Sequence, residues 1–175
     1  MTPVTPARLA LLAVAAAAAL GMPRCGKPSD ETVIRAVIED SVSRAGRRDV
    51  EGLMGPFAPD YRDFEGRDPA ATRRLVTEYL DRYHGVVIHL LGARVGAVDP
   101  DGTAEVECEV SLSHGAAEVL RQLIRYAGEY YRFKLELRKT GPGLWRYSYA
   151  EWRTIDLTEL FPESLAVLKK LFPGL

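Results

Sequence analysis

After Gly85 the spacing of apolar residues changes from helical to alternate, and this change of period restricts the fold more than any other feature. Before it, Ile34, Val37, Ile38, Val42 and Ala45 recur at helical spacing, and Leu75, Val76, Tyr79, Leu80 and Tyr83 do so again. After it, "VVIHLLGARVGAV", "TAEVECEVSLS", "EYYRFKLELRK" and "LWRYSYAEWRTI" read as four long strands. "DPDG" (Asp99–Gly102) and "TGPG" supply the turns of two hairpins. Helices that precede a run of strands pack on one face of an antiparallel sheet, so the expected class is α+β.

The helix ends are marked by chemistry. Ser29 or Asp30 caps a first helix over Glu31–Ala45, which Gly46 ends. Asp49 caps a short second helix carrying Val50, Leu53 and Met54 up to Pro56. Asp68 caps a third, with Pro69 at its first position, where a missing N–H is harmless. Arg74–Glu78 and Glu78–Arg82 are expected i,i+4 pairs on its outer side. A short helical excursion is expected over Gly115–Gly128, and a last helix over Pro162–Leu171. Leu165, Leu168 and Leu171, with Phe161 and Phe172, give that last helix an apolar stripe expected to dock on the domain's mouth or a sheet edge.

The leader is a separate object. Arg8 closes a short n-region, and Leu9–Leu20 is an uncharged apolar run, short for a membrane span and suited to a signal peptide. "GMPRC" follows, which resembles a bacterial lipoprotein signal and makes Cys25 the expected lipidated first residue of the mature chain. Ordinary cleavage near Gly21 and an uncleaved anchor stay open beside it. The expected organisation is a signal peptide over 1–24, a tether over 25–30, a domain over 31–156 and a helical extension over 157–175. The expected location is the periplasm or cell envelope. A formal net charge of −1 implies neither a nucleic-acid surface nor a polybasic membrane patch. Cys108, alternating with Val106, Val110 and Leu112, reads as a buried strand thiol.

The element order, with "DVEGLMGPFAPDYRDFEG" (Asp49–Gly66) after helix one and "GLWRYSYAEW" near the end, resembles the nuclear transport factor 2-like superfamily. That group includes ketosteroid isomerases and polyketide cyclases. The resemblance spans about Asp30 to Asp156. It implies a curved sheet wrapped on the helices as a cystatin-like cone, with a pocket at its open end. "DFEG" (Asp63–Gly66) resembles the acid-x-x-Gly element of the isomerases, whose acid abstracts a proton beside a carbonyl. Their oxyanion-donor tyrosine on helix one has no counterpart, since Glu39, Asp40 and Ser41 occupy that region.

Candidate catalytic groups are therefore Asp63, with Tyr61 or His89 beside it; a carboxylate in an apolar cone has a raised pKa and can act as a base. The other reading of Asp63 is a turn residue paired with Arg62 or Arg67, and of His89 a hydrogen-bonded core histidine. His84, His89 and His114 have no metal-ligand spacing, and no nucleophile elbow, phosphate loop or C-x-x-C is present, so no metal or cofactor is expected. Glu105, Glu107 and Glu109 share one face of their strand and read as a charge ladder against Arg132, Lys134 and Arg138. Late aromatics, Tyr147 and Trp152 among them, serve either a core or a ligand. The expected function is a non-catalytic envelope domain binding a small molecule or a protein partner through Tyr61, Asp63, His89, Tyr147 and Trp152. The alternative is a lyase or isomerase with Asp63 as general base. A purely structural envelope component, or a homodimer through the sheet, is a further reading.

Overall fold

The computed structural model describes residues 27–83, 85–113 and 128–160. The leader, Cys25, His84, His114, the excursion after Gly115 and the last helix over Pro162–Leu171 lie outside the described residues. The first three helices are α1 (Asp30–Gly46), α2 (Val50–Met54) and α3 (Pro69–Arg82). Five strands accompany them: β1 (Phe57–Asp63), β2 (Val87–Val98), β3 (Thr103–Ser113), β4 (Glu129–Gly141) and β5 (Leu144–Ile155). A single turn of helix, α4 (Leu157–Leu160), follows β5.

Each long helix starts where a side chain satisfies its free N–H groups. Ser29 accepts from the Thr32 N–H at 3.2 Å, and Asp68 accepts from the Ala71 N–H at 2.8 Å. Asp49 caps α2 by accepting from the Gly52 N–H at 2.9 Å while Arg44 holds its other oxygen at 2.9 Å. A side chain at Gly52 would collide with both Arg44 and Asp49, so glycine there lets the cap and the ion pair coexist. The outer pairs expected on α3 are not formed. Arg73 instead reaches Glu51 on α2, because the two helices pack side by side and bring those residues together.

The sheet order is β1-β5-β4-β3-β2. Strands β2 to β5 form the expected antiparallel hairpins, and Gly102 at φ +82° closes the first turn in the left-handed region that glycine tolerates. The all-antiparallel expectation needs one correction, since β1 pairs with β5 in parallel. β1 is entered from α2 and left into α3, so no hairpin ties its direction to that of β5. The sheet is mixed.

Bulges bend the long strands. The register slips between Leu90 and Gly92 in β2, and between Glu136 and Leu137 where β4 meets β5. At the second slip Ser148 is the extra residue, so Tyr147 and Ala150 both face inward across from Leu137 and Leu135. The core gathers between α1 and the concave face: Ile34, Ile38, Tyr61, Val106, Cys108 and Leu137 are at most 3% exposed.

On the convex face the expected ladder forms only in part: Arg132 meets the glutamate row, whereas Glu105 lies opposite Glu136, Lys134 pairs with Glu151 and Arg138 with Asp60. Glu109 pairs with Arg132 at 3.2 Å, and Glu107 lies between Arg94 at 3.2 Å and Arg132 at 3.8 Å. Among the described residues no cluster of His, Cys, Asp or Glu is placed to hold a metal ion, and no helix is long and apolar enough to cross a membrane.

Candidate functional site

The helices do not close onto the sheet. Between α1, α3, β1 and the concave face lies a cavity of about 390 Å³. Small-molecule pockets span roughly 300–1,000 Å³, so this space is of the size that fits a compact organic molecule. Its walls follow from the periods of the sequence. α3 turns Thr72, Leu75, Val76 and Tyr79 inward at helical spacing, and α1 contributes Ile38, Ser41 and Val42. Alternation along the strands adds Cys108, Val110, Leu112, Phe133 and Leu135.

Few polar atoms face the space. The Ser41 hydroxyl donates to the Val37 carbonyl at 2.8 Å and lies 3.0 Å from the Tyr147 hydroxyl, so both are satisfied within the wall. Phe57 packs edge-on against Tyr61 at 4.7 Å and tilted against Tyr147 at 5.2 Å, holding both phenols in position. Thr72 differs. It is 5% exposed and adds to the wall, but its Oγ1 is shut off from the space and lies beside the Tyr61 phenol.

The titratable groups on the wall are Tyr61, Tyr79, Tyr131, Tyr147 and Cys108. Burial pushes the Tyr61 phenol up to about 12; the Asp63 charge adds to the shift and the neighbouring Thr72 hydroxyl opposes it. Burial, with the charges of Glu109 and Glu107, likewise pushes the Cys108 thiol up to about 12. Tyr147, Tyr131 and Tyr79 are raised as well, each first by burial. At neutral pH the wall therefore carries no charge.

The candidate residues divide between two places. Tyr61, Tyr147 and Trp152 line the cavity; Asp63 and His89 do not. The Asp63 side chain is fully buried against Arg67, with Oδ2 accepting from Arg67 Nε at 2.6 Å. Its Oδ1 accepts from the N–H groups of Glu65 at 3.0 Å and Arg67 at 2.9 Å. This is the turn geometry of the second reading, with Arg67 as the partner. Arg67 in turn lies over the ring of Trp152, 5.3 Å from its centroid, and pairs with Glu65. The general-base expectation for Asp63 is corrected accordingly: its oxygens are occupied by backbone and guanidinium donors.

His89 pairs in register with Ser111, while Ile88 and Leu90 on either side of it pair with the inward residues Leu112 and Val110. Alternation therefore points His89 away from the cavity. Its Nε2 is buried with no hydrogen-bond partner among the described residues.

Two wall residues were not singled out from the sequence as site groups, Ser41 and Thr72. Both continue an apolar helical period: Ser41 follows Ile34 and Ile38, and Thr72 precedes Leu75, Val76 and Tyr79. A polar residue inside an apolar stripe was the available signal.

No family model matches the chain, and no curated protein matches it either. Solved structures do. A putative scytalone dehydratase from Novosphingobium aromaticivorans superposes with a TM-score of 0.57 and 18% identity, covering 73% of this chain and 85% of that one. The fold is cystatin-like. It is the nuclear transport factor 2-like cone that the sequence resembles, and several matching structures are cystatin-like or NTF2-like proteins of unknown function. A hexachlorocyclohexane dehydrochlorinase from Novosphingobium barchaimii matches with a TM-score of 0.56 and 15% identity over 72% of this chain and 86% of that one. Bdellovibrio bacteriovorus Bd1075 matches with a TM-score of 0.57 and 10% identity over 71% of this chain, which spans 40% of that longer protein.

Proposed function

We propose that this chain is an exported cell-envelope protein whose cone binds a small apolar molecule without transforming it. The observation that carries the reading is the wall: an uncharged, mostly apolar cavity of about 390 Å³ with the buried carboxylate of Asp63 tied up outside it. General acid–base work needs a group within hydrogen-bond reach of the reacting atom and with a pKa near the working pH. Tyr61 and Cys108, at about 12, are far from that value. Tyr61, Tyr147 and Trp152 then act as binding surface, with large apolar faces and polar tips.

Export rests on the leader, with its apolar run Leu9–Leu20 behind Arg8 and Cys25 as the lipidation site.

The lyase or isomerase reading draws on neighbours whose names include a dehydratase and a dehydrochlorinase. It requires Asp63 to leave Arg67 and turn toward the cavity. Titrating the mature protein with the neutral dye N-phenyl-1-naphthylamine tests the binding reading. Saturable one-to-one fluorescence enhancement is expected; no saturable binding overturns it.

A further inference from the structure

The hydroxyls set into the depth of the wall answer one another. Ser41 and Tyr147 meet at 3.0 Å, and Thr72 lies beside the Tyr61 phenol with its Oγ1 shut off from the space. A polar group carried to that depth would lose its hydration and meet no partner. Any polar part of a ligand therefore belongs at the rim.

One stretch of the rim has a chemistry of its own. Tyr79 on α3 and Tyr131 on β4 both line the cavity, and both are only half-buried. The Tyr131 hydroxyl donates to Oε2 of the exposed Glu129 at 2.6 Å. Burial raises the Tyr79 phenol and the Glu129 charge raises it further, which sets that carboxylate near α3 as well. The ring of Tyr83 packs against Tyr79 with centroids 4.7 Å apart, and Phe133 stands 6.4 Å from Tyr131. Two aromatic pairs, one from α3 and one from β4, thus come together at one carboxylate just outside an apolar wall. Among the described residues Glu129 has no basic partner, unlike Glu107 and Glu109 on the same sheet, which Arg132 engages. Carboxylate and rings favour the same ligand charge, because the face of an aromatic ring is negative and attracts cations.

Resting on the binding reading above, we propose that the ligand is a cationic amphiphile, with its apolar body in the cavity and an ammonium group at the rim between Tyr79, Tyr131 and Glu129. The group keeps its contact with water there, as the head of a lysine does when its stem lies on apolar surface. Wall and rim then divide the selection: the wall reads shape, and the rim reads charge. An anionic group in the same place meets the Glu129 carboxylate and the negative ring faces.

The test uses the mature full-length protein at low ionic strength and two probes of one ring system, (2-naphthylmethyl)trimethylammonium and 2-naphthylacetate, each displacing N-phenyl-1-naphthylamine. The expected result is the ammonium probe binding about tenfold tighter than the carboxylate probe. Glu129→Gln should lower that ratio at least about threefold while the neutral dye keeps its affinity within about twofold. Glu105→Gln, which removes the same charge from the outer face of the sheet, should leave the ratio as in wild type. Equal binding of the two probes would overturn the assignment. So would an unchanged ratio in Glu129→Gln, or a fall in Glu105→Gln as large as in Glu129→Gln, which would trace the preference to net charge. Failure of the dye to bind wild-type protein refutes the binding reading itself, a distinct outcome from dye binding with no preference between the probes.

Discussion

Replacing Asp63 by asparagine separates a structural carboxylate from a catalytic one. Both backbone N–H groups that Asp63 accepts converge on Oδ1, while Oδ2 takes only the Arg67 side chain. Asparagine can keep the first oxygen and its two turn bonds. It loses the second, placing an N–H₂ against the Arg67 guanidinium. Removing one partner of a fully buried pair costs about 3–5 kcal/mol. Arg67 is 23% exposed and can turn partly to water, which lowers the expectation to about 2–3 kcal/mol. For a domain of this size that corresponds to a melting temperature lower by roughly 5–10 °C. Asp63→Ala, which also frees the two backbone groups, should lose about 1–2 kcal/mol more. Differential scanning calorimetry measures the losses, and dye titration below the melting range measures the cavity. Asp63→Asn should retain the wild-type dye affinity within about twofold, since Asp63 is not on the wall. Unchanged stability in Asp63→Asn would refute the reasoning and return Asp63 to the list of poised bases.

Glu107→Gln should change stability by less than about 1 kcal/mol, because its pairs with Arg94 and Arg132 lie on the solvent face of the sheet; a loss of several kcal/mol in urea titration would contradict the ladder. Tyr61 has a raised pKa in the folded state, so its contribution is full below the unfolded value of 10.0 and is lost as pH rises toward about 12. The melting temperature should therefore fall across that window, and Tyr61→Phe should flatten the fall; an equally steep fall in the variant would assign the effect elsewhere. Cys25→Ser should shift the protein from the membrane to the soluble envelope fraction, and unchanged membrane association would remove Cys25 as the anchor.

Much of the fold was legible because period and caps are local properties. The change of period after Gly85 located β2 to β5, and Ser29, Asp49 and Asp68 marked helix starts that the structure shows capped. The parallel pairing of β1 was not legible, since it depends on which sheet edge is free after the hairpins form. The site was legible only in part for the same reason. Tyr61 and Asp63 alternate on one strand, and both are buried, yet one lines the cavity and the other is held in the turn to Arg67. Nothing in the spelling "YRDFEGR" says that Oδ1 will collect two backbone N–H groups. His89 was ambiguous for another reason: its apolar neighbours were visible, but its face was set only by pairing with Ser111. Thr72 is the opposite case, visible as a polar break in the stripe of α3, though nothing in the spelling says that its Oγ1 is shut away beside Tyr61.

The central claim is that the space between α1, α3 and the sheet is a binding site, and filling it is the most direct test. Val76 and Val110 approach it from α3 and β3, so Val76→Phe with Val110→Phe occupies it from opposite walls. Dye titration of this variant beside wild type is the measurement. The account predicts saturable one-to-one binding by wild type, loss of at least about tenfold in affinity for the filled variant, and a melting temperature that is not lower, because the added rings gain apolar contact. Equal dye binding by the two proteins, with the filled variant stably folded, would place the dye elsewhere and contradict the account.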